Sequence, residues 1–155
     1  MGTMLKTSKP RTLVAEVAFL LSLLTLTHAC CIPIEQTVRD PERVWERAFS
    51  QKPPANIHVR NGYHWSSGHF SGEYAWFIEV EADPKIIGDL VKDTGLVKCI
   101  TAAEKEEARL DIWTEAPDWF APPNQDYMVY RDPETHYVIF VLEGSKVAYL
   151  SRWSV

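Results

Sequence analysis

The sequence of 155 residues contains no internal repeat, no low-complexity segment and no linker-like stretch. A repeat architecture and a multidomain chain are therefore disfavoured, and we expect one folded domain. Long apolar runs are also missing. The longest uninterrupted one, Val17 to Leu26 ("VAFLLSLLTL"), is about half as long as a membrane-spanning helix needs to be.

Basic residues are too few for a protein that binds nucleic acid. The chain has 16 Lys and Arg against 21 Asp and Glu, which gives a formal net charge of -5. Because a polyanion is bound through a basic footprint, nucleic acid is disfavoured as a partner. Apolar residues, in contrast, make up 46% of the chain, which is enough for a buried core.

The first 29 residues have the order of a secretory signal peptide. Basic residues precede the apolar run, and small residues follow it. The basic residues are Lys6, Lys9 and Arg11. We therefore expect export and cleavage after Ala29. The alternative is an uncleaved membrane anchor over residues 12–29, which would have to tolerate Glu16 in the bilayer.

Cleavage after Ala29 would leave Cys30 as the new N-terminus. The run "THAC" at residues 27–30 resembles the lipobox of bacterial lipoproteins, whose cysteine is diacylated, and the resemblance covers residues 1–31. It implies a lipid anchor on Cys30, a place in the bacterial outer membrane or periplasm, and a tether over residues 30–39. Plain secretion through the same cleavage site is the alternative. The mature chain would carry 13 Lys and Arg against 20 Asp and Glu, since residues 1–29 hold three basic residues and one acidic residue.

The chain has three cysteines, which are Cys30, Cys31 and Cys99. In an oxidising compartment, lipidation of Cys30 would leave Cys31 and Cys99 to form a disulfide. The alternative is two thiols, with Cys99 buried as a small apolar residue in the context "VKCIT". The sequence leaves both alternatives open.

Residues 40–155 predict a single α+β domain. Two amphipathic segments each start with a capping Asp followed by Pro, which predicts helices that begin after Asp40 and after Asp83. Alternating segments predict strands. These are "IHVRNGYHW", "EYAWFIEVEA", "YMVYRD", "HYVIFVLE" and "KVAYLSRW". We therefore expect an antiparallel sheet of about five strands with two helices packed on one face.

The alternation also predicts which side chains are buried. In the second strand, Trp76 is expected to face the helices, whereas Glu79 and Glu81 are expected to face solvent. In the first strand, His64 is expected on the outward face and Trp65 on the buried one.

One group of candidate residues is the turn between the first two strands. His64, His69 and Glu73 are residue types that ligate zinc, and they lie close together in the sequence. No HExxH or helical His-x-x-x-His spacing is present, and a hairpin does not fix the distance between these side chains. We therefore expect exposed polar residues here, with a contact loop or a metal or acid–base site as the alternatives. No catalytic residue, metal or cofactor is assigned.

The aromatic residues before the third strand form a second candidate group. Trp113, Trp119 and Phe120 lie in a proline-bracketed segment that ends near Pro123. Aromatic side chains on stiff loops make contact surfaces for partners or sugars. The alternative is that Trp119 and Phe120 close the core of the sheet, which is the expectation we favour.

Three functions follow from these observations. The leading hypothesis is a small exported, lipid-anchored envelope protein that binds an envelope or extracellular protein without catalysis, in an inhibitor-like or accessory role. The second is a glycan or small-ligand binder that uses residues 113–123, which a concave aromatic pocket there would favour. The third is a small hydrolase or metal enzyme around His64, His69 and Glu73, which would need those side chains to converge.

Overall fold

The structure, a computed structural model, describes residues 35–68, 72–113, 115–123, 125–132 and 134–155. The strands within these ranges are β1 (Gln36–Val38), β2 (Ile57–Ser66), β3 (Tyr74–Ala82), β4 (Val97–Lys98), β5 (Tyr127–Asp132), β6 (Tyr137–Leu142) and β7 (Val147–Ser154). The helices are α1 (Pro41–Phe49), α2 (Pro84–Thr94) and α3 (Ala102–Leu110). Of these helices, none is long and apolar enough to span a membrane.

All the strands described belong to one antiparallel sheet with the order β1-β2-β3-β7-β6-β5-β4. The expectation of about five strands with two helices on one face is therefore wrong. The sheet has seven strands, and the described part of the chain has a third helix and is predominantly β. The two additional strands, β1 and β4, are short edge strands whose few residues show no alternation that a sequence pattern could detect.

The helices α1 and α2 begin at the predicted caps. The Asp40 carboxylate accepts a hydrogen bond from the Arg43 backbone N–H at 2.9 Å, and the Asp83 carboxylate accepts one from the Lys85 N–H at 2.9 Å. Each cap is followed by a proline at the first helical position, where its missing N–H is not needed. Both helices pack on the same face of the sheet, here called the two-helix face. Its core comprises Val44, Trp45, Ile87 and Val91 of the helices with Trp76, Ile78, Val80, Ile139 and Leu150 of the strands.

The opposite face, here called the aromatic face, is also buried. Its core comprises Ala75, Phe77, Cys99, Ala108, Phe120, Tyr127, Val129, Phe140 and Tyr149. The helix α3 contributes Ala108 and starts with a capping box between Thr101 and Glu104. Phe120 lies at the centre, with its ring centroid 5.0 Å from that of Phe77 and 5.9 Å from that of Tyr149. The sheet is therefore covered on both faces, and the expected solvent-facing side does not exist at its centre.

A β-bulge in β2 reverses the alternation of its side chains. Residues of the same parity point to opposite faces of the sheet before and after the bulge. Val59 pairs with Val80, but the next paired residue, Asn61, lies opposite Glu79, so Arg60 is an extra residue in β2. Before the bulge, even-numbered side chains of β2 point away from the two-helix face. After it, His64 lies opposite Trp76 on that face. The predicted outward position of His64 is therefore wrong, because one inserted residue exchanges the two faces.

Candidate functional site

The main candidate site is a cleft of about 490 Å³ on the aromatic face. It lies between the middle of β2 and the segment 115–119, and we call it the Trp119 cleft. Its described lining consists of Arg39, Asn61, Gly62, Tyr63, Glu115, Ala116, Pro117, Asp118 and Trp119. Two aromatic side chains, two carboxylates, an amide and a guanidinium therefore border one concave volume.

The segment that forms one wall is held by two tight turns and one buried anchor. The Ala116 N–H donates to the Trp113 carbonyl at 3.0 Å, and the Phe120 N–H donates to the Pro117 carbonyl at 2.8 Å. Phe120 is only 7% exposed, so its ring fixes the end of the segment in the core. The wall is thus preorganised by backbone hydrogen bonds and by one aromatic side chain.

The aromatic walls of the cleft are Trp119 and Tyr63, both half-buried. The Trp119 ring packs edge-on against Phe120, with centroids 6.2 Å apart. The Tyr63 ring lies 6.2 Å from that of Phe77 on one side, and the guanidinium of Arg39 lies 5.5 Å from its centroid. Both rings are therefore held by neighbouring side chains, and both keep part of their surface accessible to a ligand.

Beneath the cleft lies a buried carboxylate. Glu79 is 6% exposed, accepts a hydrogen bond from the side-chain amide of Asn61 and forms an ion pair with Arg60 at 3.3 Å. The bulge is the cause, because it places Arg60 and Asn61 together opposite Glu79. The carboxylate also contributes, after burial, to raising the pKa of the Tyr149 hydroxyl. Glu79 therefore orients Asn61, which lines the cleft, and the bond to Glu79 uses one of the two amide N–H groups.

The rim of the cleft is acidic. Glu115 and Asp118 are exposed, and Arg39 on the opposite side is exposed as well. Carboxylates accept hydrogen bonds, whereas the Arg39 guanidinium and the Asn61 amide donate them. A ligand hydroxyl can therefore find both an acceptor and a donor in the lining. An anionic ligand would meet two carboxylates and one guanidinium, which disfavours it.

Trp113, predicted as a binding residue, lies outside this cleft in an aromatic stack. Its ring centroid is 5.7 Å from that of Trp65 and 5.5 Å from that of Trp153, and these two tryptophans flank Ala75 in adjacent strands. Trp153 also stacks on His136 at 3.7 Å. Trp113 is therefore a packing residue over the small side chain of Ala75, rather than a wall of the cleft.

The predicted histidine group is only partly described. His64 and Glu73 line a second pocket, on the two-helix face, whereas His69 lies outside the described residues. The pKa of His64 is lowered, first by burial and second by the charge of Arg47. Among the described residues, no group of three or more His, Cys, Asp or Glu side chains is placed to hold a metal ion.

The cysteine predictions also fall largely on residues that the structure does not describe. Cys30 and Cys31 lie outside the described ranges, so lipidation and a Cys31–Cys99 disulfide stay predictions. Cys99 is a buried thiol of the aromatic-face core, and burial raises its pKa. A protonated thiol packed in this way is a poor nucleophile.

Four of the cleft residues escaped sequence reasoning, namely Arg39, Asn61, Gly62 and Tyr63. A signal was present in the pair Asn61-Gly62, because a glycine inside an otherwise alternating strand often marks a bulge or a close backbone approach. Here it marks both, since a Cβ on Gly62 would lie 2.9 Å from the Pro41 Cα of α1. Arg39 had no such signal, because it reaches the cleft from the segment predicted as a tether.

Comparisons with known proteins identified no relative of this chain. The chain matches no protein-family model, no curated protein and no solved structure.

Proposed function

We propose that this protein is a non-catalytic binding protein that takes a neutral, hydroxyl-rich ligand such as a glycan in the Trp119 cleft. The observation that carries the proposal is the concave site itself, with Trp119 and Tyr63 as half-buried walls and Asn61 oriented by a buried carboxylate. Sugar rings present C–H groups that pack on aromatic rings and hydroxyls that hydrogen-bond to carboxylates and amides. The lining supplies both kinds of partner.

The volume and the charge of the site support a short oligosaccharide or a single substituted sugar ring. A volume of about 490 Å³ lies within the range of ligand pockets, roughly 300–1,000 Å³. The carboxylates of Glu115 and Asp118 favour a neutral or amino sugar over an acidic one.

Export to the cell envelope is part of the same proposal and rests on the signal-peptide pattern of residues 1–29. Intact-mass measurement of the protein from a membrane fraction tests it. The mass of a chain that begins at Cys30 and carries acyl groups supports lipid anchoring. The mass of the same chain without acyl groups supports plain secretion. A mass that includes residues 1–29 contradicts export by cleavage.

A protein partner is the second candidate function, favoured by exposed apolar side chains at one edge of the sheet. Val97 of the edge strand β4 is 71% exposed, and Ile100 just after it is 84% exposed. β4 is an edge strand of the sheet as described, and apolar groups at such an edge suit β-strand addition by another chain. Replacing both residues by lysine should abolish such binding and leave glycan binding unchanged.

Calorimetric titration of the full chain with neutral gluco- and N-acetylglucosamine oligosaccharides tests the cleft. We expect weak binding, and we expect Trp119→Ala to weaken it by about tenfold or more, because loss of one stacking platform removes on the order of 1.4 kcal/mol. Asp118→Asn should weaken it less.

The matched control is Asp89→Asn, which alters an exposed carboxylate of α2 on the opposite face. It should bind like the wild type. Absence of binding to the whole panel, or equal binding by Trp119→Ala and the wild type, would contradict a glycan site in this cleft.

A further inference from the structure

A row of large polar and aromatic side chains crosses one end of the two-helix face. Strand pairing places His64 of β2 opposite Trp76 of β3, Trp76 opposite Arg152 of β7, and Arg152 opposite Tyr137 of β6. Directly opposite residues share a face, so these four side chains lie side by side. The Trp76 and Tyr137 rings, which come from the two strands that flank Arg152, contact each other edge-on with centroids 5.5 Å apart.

A second pocket, of about 320 Å³, opens at this row, and we call it the His64 pocket. It is bordered by His64 and Arg152 of the row, by Arg47 from α1, and by Ser67 and Glu73 at the two ends of the β2–β3 connection. The Ser67 backbone N–H donates to the Glu73 carbonyl at 2.9 Å, so the rim is held by a regular ladder hydrogen bond.

Among the described residues, three buried side-chain atoms of the residues that line this pocket have no hydrogen-bond partner. They are His64 Nδ1, Ser67 Oγ and Arg152 Nε. The hydroxyl of Tyr137, which is next to Arg152 in the row and not part of the described pocket lining, is also buried without a described partner, and burial raises its pKa far above the ordinary value. Buried polar groups are nearly always paired in folded proteins, so several unpaired donors at one pocket indicate that something else satisfies them.

The charge of the pocket indicates which kind of ligand would pair with these groups. Arg47 and Arg152 line it, whereas Glu73 is the one carboxylate in its described lining, and the protein as a whole is acidic. No ion pair within 4.0 Å joins Glu73 to either arginine in the described structure. Asp132 lies opposite Tyr137 at the far end of the row, and its pKa is lowered mainly by hydrogen bonds from Thr135 and Glu134 and to a smaller extent by the charge of Arg152.

We propose that the His64 pocket binds a small oxyanion, carried by a phosphate or a carboxylate group, independently of the Trp119 cleft. The guanidinium groups of Arg47 and Arg152 donate to the oxyanion, and binding draws in the Ser67 hydroxyl and the His64 Nδ1, whose atoms are buried just behind the lining. Charge-assisted hydrogen bonds from an arginine are the strong contacts of such sites. The Trp76 ring forms an apolar wall, which favours a carboxylate on an aromatic or aliphatic group over a bare ion.

Nuclear magnetic resonance titration of the full chain tests this proposal, with inorganic phosphate and benzoate as two separate probes in a chloride buffer. We expect saturable shifts of the His64 imidazole signals, with benzoate binding more tightly than phosphate. Arg152→Gln and Ser67→Ala should each weaken binding, the arginine change by about tenfold or more because a charge-assisted contact is lost. If phosphate bound more tightly than benzoate, the oxyanion site would stand, but the proposed role of Trp76 as an apolar wall for the ligand would be contradicted.

Arg47→Gln and Arg43→Gln form a matched pair, because both residues are exposed on α1 and only Arg47 lines the pocket. The first change should weaken binding, and the second should not. No saturable shift with either probe, or equal weakening by both changes, would overturn the proposal. If Arg152→Gln fails to fold, the Ser67→Ala and Arg47→Gln variants decide it.

Discussion

Asn61 donates a side-chain hydrogen bond to the buried carboxylate of Glu79, the residue directly opposite it in the neighbouring strand. This contact connects a local irregularity of the chain to the proposed binding site. The bulge after Val59 brings Asn61 and Arg60 to one carboxylate, and Asn61 in turn borders the Trp119 cleft. A charged residue in the middle of the sheet is thereby satisfied and also orients a polar group of the site.

Glu79→Ala should lower the free energy of unfolding by about 1–3 kcal/mol, because it leaves the Asn61 amide without its acceptor. The half-exposed Arg60 contributes little, since its charge remains solvated. Urea unfolding followed by circular dichroism measures the difference. Glu81→Ala, an exposed position two residues further along β3, should change stability by no more than about 0.5 kcal/mol. Equal effects would contradict the assigned role of Glu79.

Gly62→Ala and Gly88→Ala should have opposite effects. A Cβ at Gly62 would meet the Pro41 Cα and the Val44 Cβ at 2.9 Å each, so α1 would have to move, at a cost of about 1–3 kcal/mol. Gly88 lies inside α2 with open space around it, and alanine there should stabilise by about 0.5–1 kcal/mol. Thermal unfolding of the two variants checks the pair. A neutral Gly62→Ala would contradict the close packing of α1 on β2.

Phe120→Ala should cost about 3–5 kcal/mol, as is usual for a buried aromatic side chain. Its ring contacts Phe77, Phe140 and Tyr149 at the centre of the aromatic face. Trp119→Ala should cost less, since Trp119 is half-exposed at the cleft. Urea midpoints of both variants give the comparison. If Trp119→Ala were the more damaging of the two, Trp119 would be the core residue and the cleft would lose its aromatic wall.

Stability should fall at mildly acidic pH because of His64. Its folded-state pKa lies below the ordinary value of 6.5, owing first to burial and second to the charge of Arg47. Between 6.5 and the lower folded pKa, the unfolded chain binds more protons than the folded chain. The contribution of neutral His64 to the free energy of unfolding is therefore fully present above this pH window and decreases as the pH falls through it. Arg152 and Glu73 are the other charged groups that line the described part of the pocket.

Melting temperatures of the wild type and of His64→Gln between pH 7.5 and 5, in a buffer free of phosphate and carboxylates, measure this effect. The His64→Gln variant should show a smaller loss of stability over the range. His58→Gln is the control, because His58 is exposed in the same strand, and it should follow the wild type. An unchanged slope in His64→Gln would show that His64 is not the titrating group.

Local signals in the sequence determined where the regular elements lie. The Asp-Pro caps located α1 and α2, and alternation located β2, β3 and the meander β5–β6–β7, because caps and side-chain periodicity act over a few residues. The same reasoning placed Trp76 in the core, where it is 4% exposed. It also identified residues 113–123 as a candidate binding segment, of which 115–119 form the cleft wall.

The tertiary structure alone decided which side each element faces and what it meets there. The bulge at Arg60 turned His64 inward, and packing of α3 and Phe120 on the second face turned Glu79 from an expected surface residue into a buried one. The short strands β1 and β4 exist only through pairing with longer neighbours. These features depend on contacts between residues far apart in the chain, and strand periodicity carries no record of an inserted residue or of a partner on the opposite face.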